Sequence, residues 1–160
     1  MTDQRPLTIA VPVYNGFSHL QRIAPLLRDA LNLPGVSCVL IDNASTDDAK
    51  NLAQVMAESC KGLAPGAVTL IRNEENLGFT RAVNQGIEAS APGSDILLAN
   101  TDLSWTGGPG WMRKLQRLAQ ETGAGIGWQS SFPAQRWRAH QRQDSASEAR
   151  IKFWLDRSDD

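Results

Sequence analysis

The apolar run Ile96-Leu97-Leu98-Ala99 breaks into Asn100-Thr101-Asp102, an amide, a hydroxyl and a carboxylate in succession. Three other apolar runs break in a similar way. Pro12-Val13-Tyr14-Asn15-Gly16 follows the first, Asp42-Asn43-Ala44-Ser45-Thr46-Asp47 the second, and Arg72-Asn73-Glu74-Glu75-Asn76-Leu77-Gly78-Phe79 the third. Taken singly, each is ordinary turn chemistry, since Asn, Asp, Ser and Thr bond readily to nearby backbone. Ser45 or Thr46 would serve as a plain helix cap. Taken together, they supply the hydrogen-bonding groups that a nucleotide needs. Asp42, a carboxylate at a strand end, would accept from a nucleoside N–H or hydroxyl. Asp102 would help to hold Mg²⁺ or Mn²⁺ on a diphosphate, because such ions are commonly bound by one or two carboxylates plus phosphate oxygens and water. No G-x-G-x-x-G follows the first run and no G-x-x-x-x-G-K-[ST] occurs. Dinucleotide-cofactor and P-loop chemistry are therefore set aside.

These segments meet only if the elements between them are laid side by side. Leu7–Val11 reads as a strand stopped by Pro12, which cannot donate to a sheet ladder. Leu20, Ile23, Ala24, Leu27, Ala30 and Leu31 then fall on one helical face, with Ser18 the predicted N-cap. Pro25 inside that pattern predicts a kink or a late helix start. Val36–Ile41 is a second strand. Ala49, Leu52, Ala53, Met56 and Cys60 mark a second helix, with Asp47 and Asp48 in its favourable first turn. Val68–Ile71 is a third strand, and Ala82 to Ala89 a third helix weakened by Gly86. Asp95–Ala99 is the fourth strand, and Trp111, Leu115 and Leu118 mark a fourth helix after Pro109-Gly110. This alternation predicts an α/β fold in three layers, a mostly parallel sheet with helices on both faces. In open parallel sheets ligands bind beyond the carboxyl ends of the strands. All four polar segments fall there.

Bulk composition narrows the partners. At 160 residues the chain is long enough for one domain with its own core. A formal net charge of −1 argues against a general nucleic-acid or anionic-membrane binder. The two cysteines, Cys38 and Cys60, read as reduced thiols. The N-terminal residues are polar, and no apolar stretch approaches the ~20 residues needed to span a bilayer. The expected location is cytoplasmic, with no membrane segment in this chain.

After Gly127 the strand-helix rhythm stops. WQSSFPAQRWRAHQRQDSASEARIKFWLDRSDD mixes Trp, Arg, Gln and Ser without a strand period. Ser145-Ala146-Ser147-Glu148 has the form of a capping box, and Ile151, Trp154 and Leu155 after it suggest a terminal helix. The aromatic and basic interleaving admits an RNA-binding arm, but the acidic residues and missing stacking period favour a peripheral tail. The expected organisation is an α/β domain over 1–127 and an irregular tail over 128–160.

Four motifs now carry a family resemblance. TIAVPVYNG (8–16), VLIDNASTDDA (39–49), NEENLGFTRAVNQGI (73–87) and DILLANTDLSW followed by PGWM (95–112) stand in the order and spacing of family 2 glycosyltransferases. The similarity spans roughly residues 7 to 120, and the agreement of four separated motifs makes it specific. It implies a GT-A fold and a nucleoside-diphosphate sugar as donor, with a saccharide or lipid-linked acceptor. Pro12, Val13, Tyr14 and Asn15 would then line the nucleotide pocket. Asp42 would hold the base, with Asn43 and Ser45 shaping that loop. Asn76, Gly78 and Asn84 would close over ribose and diphosphate. Asn100-Thr101-Asp102 occupies the place of the family's D-x-D signature, so Asp102 would bind Mg²⁺ or Mn²⁺, and Asn100 stands where the signature has its first acid. Tyr14 and Phe79 fit core packing as readily as ligand contact.

Sugar transfer with inversion also needs a general base within reach of the acceptor hydroxyl. In the family this is a carboxylate in the second half of the domain. The tail carboxylates Asp144, Glu148, Asp156, Asp159 and Asp160 lie in no matching context, so no catalytic base is assigned. The expectation is a truncated or frame-shifted glycosyltransferase, the fold incomplete and carrying the donor-binding half. A non-catalytic nucleotide-sugar binding remnant and an α/β interaction domain with a decorative polar rim are the alternatives.

Overall fold

Strands β1 (Leu7–Val13), β2 (Val36–Asp42) and β4 (Asp95–Leu98) are mostly apolar and buried because helices cover them, while the edge strand β3 (Val68–Arg72) is only partly covered. The computed structural model describes residues 5–59, 66–105, 107–123, 126–129, 138–140 and 152–155. Helices α1 (Phe17–Ala30), α2 (Ala49–Ser59), α3 (Phe79–Glu88) and α4 (Gly110–Thr122) alternate with these strands. Three short strands complete the sheet: β5 (Ile126–Gln129), β6 (Arg138–His140) and β7 (Lys152–Leu155). The order across it is β3-β2-β1-β4-β7-β5-β6, with every pairing parallel except β5 with β6.

The two faces of β1 bury against different helices. Leu7, Ile9, Val11 and Val13 join Leu20, Ile23 and Leu27 of α1, Ala49, Ala53 and Met56 of α2, and Met112, Leu115 and Ala119 of α4 in one large core. On the opposite face, Val39 and Ile41 pack with Ala82 of α3. The α3 contact is close. A Cβ built on Gly86 would lie 2.9 Å from Ile41 Cδ1 and 3.1 Å from Ala10 Cβ. The glycine that weakens the α3 pattern in sequence is what lets the helix sit down on the sheet.

Several local expectations change. Strand β1 is not stopped by Pro12 but runs through it to Val13, with Pro12 paired to Ile41. Helix α1 runs unbroken from Phe17 to Ala30 with Pro25 inside it, so there is no late start. Its N-cap is Gly16 at φ 115, not Ser18, and no side chain within the helix caps it. A carboxylate from another loop fills that place, as described below. The predicted terminal helix over Ile151, Trp154 and Leu155 is also corrected. Lys152–Leu155 is strand β7, pairing in parallel with β4 at Ile96↔Lys152 and with β5 along its length. Phe153, Trp154 and Leu155 form a continuous β-favouring run, and the free edge of β4 offers backbone partners that an isolated helical turn lacks. Ser145–Glu148 lies outside the described residues.

At the sheet's other end, α4 is tied to the start of β1 and β4. Asp95 Oδ2 accepts from Gln116 Nε2 at 2.7 Å and Gln120 Nε2 at 3.0 Å. Arg113 donates to the Arg5 and Pro34 carbonyls. Burial pulls the Arg113 guanidinium below its ordinary pKa, while the charge of Asp95 pulls it upward.

Candidate functional site

Register decides which side chains meet at the carboxyl rim. Val13 pairs with Asp42 and Asp42 with Arg72, so β1, β2 and β3 end level. Strand β4 stops at Leu98, opposite Ala10, and Ala99 N–H adds a last bond to Ala10 O at 2.9 Å. The chain thus leaves the ladder below the end of β1. Asn100-Thr101-Asp102 turns into the space beside Pro12 and Val13, and a cleft of about 490 Å³ opens there.

Four strand ends and one helix wall this cleft. Pro12, Val13, Tyr14 and Asn15 come from β1, Asn43 from β2, and Asn76, Gly78 and Phe79 from the segment after β3. Asn100, Thr101 and Asp102 come from β4, and His19 from the first turn of α1. Tyr14 is 51% exposed and Phe79 43%, so neither is a core residue and the packing alternative for them falls away. Asp42, Ser45 and Asn84 are the predicted residues that stand outside the wall. Asn84 is exposed on α3. Ser45 is buried, and its Oγ accepts from Asn15 N–H at 3.0 Å. Asp42 lies beneath the wall rather than in it. The side chain is 1% exposed, Oδ1 accepts Ser45 N–H at 2.9 Å, and Oδ2 faces Arg72 Nε at 3.3 Å. Each oxygen thus has one partner beneath the rim.

Side-chain bonds between loops set the shape of the wall. Asn15 Oδ1 accepts from Thr46 N–H at 2.8 Å and Thr46 Oγ1 at 3.2 Å. Asp47 Oδ2 accepts from Gly16 N–H at 2.7 Å and Phe17 N–H at 3.0 Å, and its Oδ1 accepts from Ala49 N–H at 3.0 Å. One carboxylate therefore caps both α1 and α2. Asn15 and Ala44 are held at positive φ, 43° and 63°, in the two loops so joined. Asn tolerates this region, whereas at Ala it costs of order 1–3 kcal/mol and persists only where neighbours fix it.

A second knot of amides fixes the loop after β3. Asn43 Nδ2 donates to Asn76 Oδ1 at 2.6 Å, and Asn43 Oδ1 accepts from Leu77 N–H and Asn73 Nδ2, each at 3.0 Å. Asn73 and Gln85 exchange reciprocal amide bonds of 2.9 and 2.8 Å. Asn73, Gln85 and His19 were missed as site-builders in sequence. His19 follows the Asn15-Gly16 turn by three residues, a spacing that places a first-turn side chain at a rim.

The wall is almost uncharged. Among the described residues, Asp102 is its one carboxylate, none is Lys or Arg, and His19 is its one basic side chain. Among the described residues no group of three or more His, Cys, Asp or Glu could hold a metal ion. A divalent ion fits Asp102 only if phosphate oxygens complete its shell, which is the ordinary habit of Mg²⁺.

With this geometry in place, comparison with known proteins gives the family. The model of "Glycosyl transferase family 2" matches residues 8–157. The chain belongs to glycosyl transferase family 2. The match continues through β5 to β7, past the last of the motifs quoted above. Solved structures supply the fold. The mannosyltransferase PcManGT from Pyrobaculum calidifontis, in complex with GDP-Man and Mn²⁺, superposes with a TM-score of 0.64 at 21% identity over 78% of this chain and 35% of its own. S. aureus TarS 1-349 in complex with UDP gives 0.57 at 16% identity over 82% and 38%. The family 2 chain has the mostly parallel α/β arrangement of GT-A transferases and spans little more than a third of the length of those structures. No curated protein matches it. Among the described residues, no helix is long and apolar enough to cross a membrane.

Proposed function

We propose that this chain binds the nucleoside-diphosphate sugar donor of a glycosyltransferase, with Mg²⁺ or Mn²⁺ held between the diphosphate and Asp102. The observation that carries the reading is the convergence of all four strand-end segments on one cleft that ends at Asp102. Membership in family 2 and the GDP-Man, Mn²⁺ and UDP of the structural neighbours agree with it. The exposed Tyr14 and Phe79 rings flank the cleft and suit a base or ribose. Asn76 and Gly78 suit the diphosphate side, and Asn100 and Thr101 offer neutral hydrogen bonds beside the ion. The ion, when bound, would stabilise charge developing on the leaving diphosphate.

A second reading has its own observation. The wall has one carboxylate, Asp102, so no second acid in it is available as general base. Donor binding without transfer by these residues alone follows, and a saccharide or lipid-linked acceptor would need groups outside the cleft.

Thermal unfolding of the full chain against UDP, GDP, ADP and CDP, with and without Mn²⁺, tests both. A ligand at a hundred times its Kd stabilises by about 2.7 kcal/mol, several degrees for a domain of this size. At least one diphosphate should raise Tm more with Mn²⁺ than without, and Asp102→Ala should abolish that difference. A Tm indifferent to every nucleotide sinks the donor site. Hydrolysis of a donor sugar by the wild type and not by Asp102→Ala would decide for an enzyme over a binding module.

A further inference from the structure

His19 is the one residue of the cleft wall that the quoted motifs leave unused. Its ring rests on the Gly16 turn, where an added Cβ would come 3.6 Å from His19 Cδ2. Its Nδ1 lies 2.6 Å from Nη2 of Arg22, one helical turn along α1. A guanidinium has donors and no acceptor. Nδ1 must therefore accept, and it carries no proton. The proton of the imidazole sits on Nε2, since one ring nitrogen's bond fixes the state of the other. An Nε2 that bears hydrogen has no lone pair for a metal. In this tautomer His19, which lines the cleft, carries a hydrogen-bond donor at Nε2 and not a metal-binding lone pair there.

The composition of the wall says what such a donor is for. The wall holds Asp102 and no Lys or Arg, yet the proposed ligand is strongly anionic. We propose that His19 Nε2–H, oriented and polarised by Arg22, donates to a phosphate oxygen of the bound diphosphate and is its main protein-borne anion contact. This rests on the donor-binding reading for the diphosphate's source. Arg22 acts through the ring, as a positioning residue.

Two measurements on the full chain test it. The sequence has two histidines, His19 and His140, so long-range ¹H–¹⁵N spectra, assigned with His19→Gln, read the tautomer directly. The Nε2–H form is expected, and an Nδ1–H form overturns the proposal whatever the cleft binds. Calorimetry then compares UDP, GDP, their nucleosides and inorganic pyrophosphate, with and without Mn²⁺. His19→Phe should weaken nucleoside diphosphates and pyrophosphate about tenfold, the loss of one hydrogen bond to a charged group, and leave nucleosides unchanged. His19→Gln, which keeps an N–H donor, should stay within about threefold of wild type on the same scale. Equal diphosphate binding by wild type and His19→Phe overturns the role of His19 and leaves the donor site standing. Pyrophosphate bound and lost in His19→Phe, with no nucleotide bound by the wild type, upholds His19 and sinks the donor site. Loss of Mn²⁺ binding in His19→Phe without any diphosphate would make it a metal ligand and overturn the proposal.

Discussion

Asp47 shows how much a single rim residue can hold. Its two oxygens take three backbone N–H groups at the starts of α1 and α2. Each lost cap costs about 1 kcal/mol, so Asp47→Ala should lower unfolding stability by about 2 kcal/mol, read as a reduced urea midpoint at unchanged slope. Asp47→Asn, which keeps one acceptor oxygen, should fall between. Sequence shows only half of this role. In sequence Asp47 reads as a favourable charge at the start of α2, with Ser45 or Thr46 as the expected cap, and Gly16 lies 31 residues away with no local pattern to join them. The same distance hides Asn43 from Asn73 and Asn76. Residue types at the rim can be read from the chain, whereas which amide bonds which, and that Asp42 turns inward to Arg72, depends on the packing of three loops.

For the elements, the closest approach is α3 onto β1 and β2. Ile41 Cδ1 ends a flexible side chain and can swing aside, but Ala10 Cβ is fixed to the central strand 3.1 Å from the position a Gly86 Cβ would take. Gly86→Ala gains up to about 1 kcal/mol of helix propensity and forfeits about 1–3 kcal/mol to overpacking. The second term wins, and Tm should drop. The converse result would mean that α3 rides higher on the sheet than described. Helix and strand positions through α4 were readable because apolar spacing differs between the two. Pro25 does not delay α1, which already runs from Phe17, and its ring lies on an exposed stretch of the helix. Lys152–Leu155 misled because a capping-box pattern upstream outweighed four residues whose partner strands are far away in sequence.

Across the whole molecule, alternating strands and helices made the three-layer fold legible, and parallel register does the rest. Four segments that look like unrelated turns must share one edge, so the site follows from the topology more than from any one motif. The order in which β7 enters between β4 and β5 was not legible, since short strands carry little periodic signal. Neither was the inward face of Asp42.

The bonds that join the loop at Asn15 to the loop at Ser45–Asp47 lie wholly within the chain. For the donor binding proposed above, such a join predicts a single-step encounter. Fast-mixing tryptophan fluorescence of a variant with Trp128, Trp137 and Trp154 replaced by Phe, which keeps Trp105 and Trp111, an edge-on pair with ring centroids 5.7 Å apart in the chain leading from Asp102 into α4, should show one exponential. Its rate should climb linearly with nucleotide concentration, and a plateau would reveal a closing step.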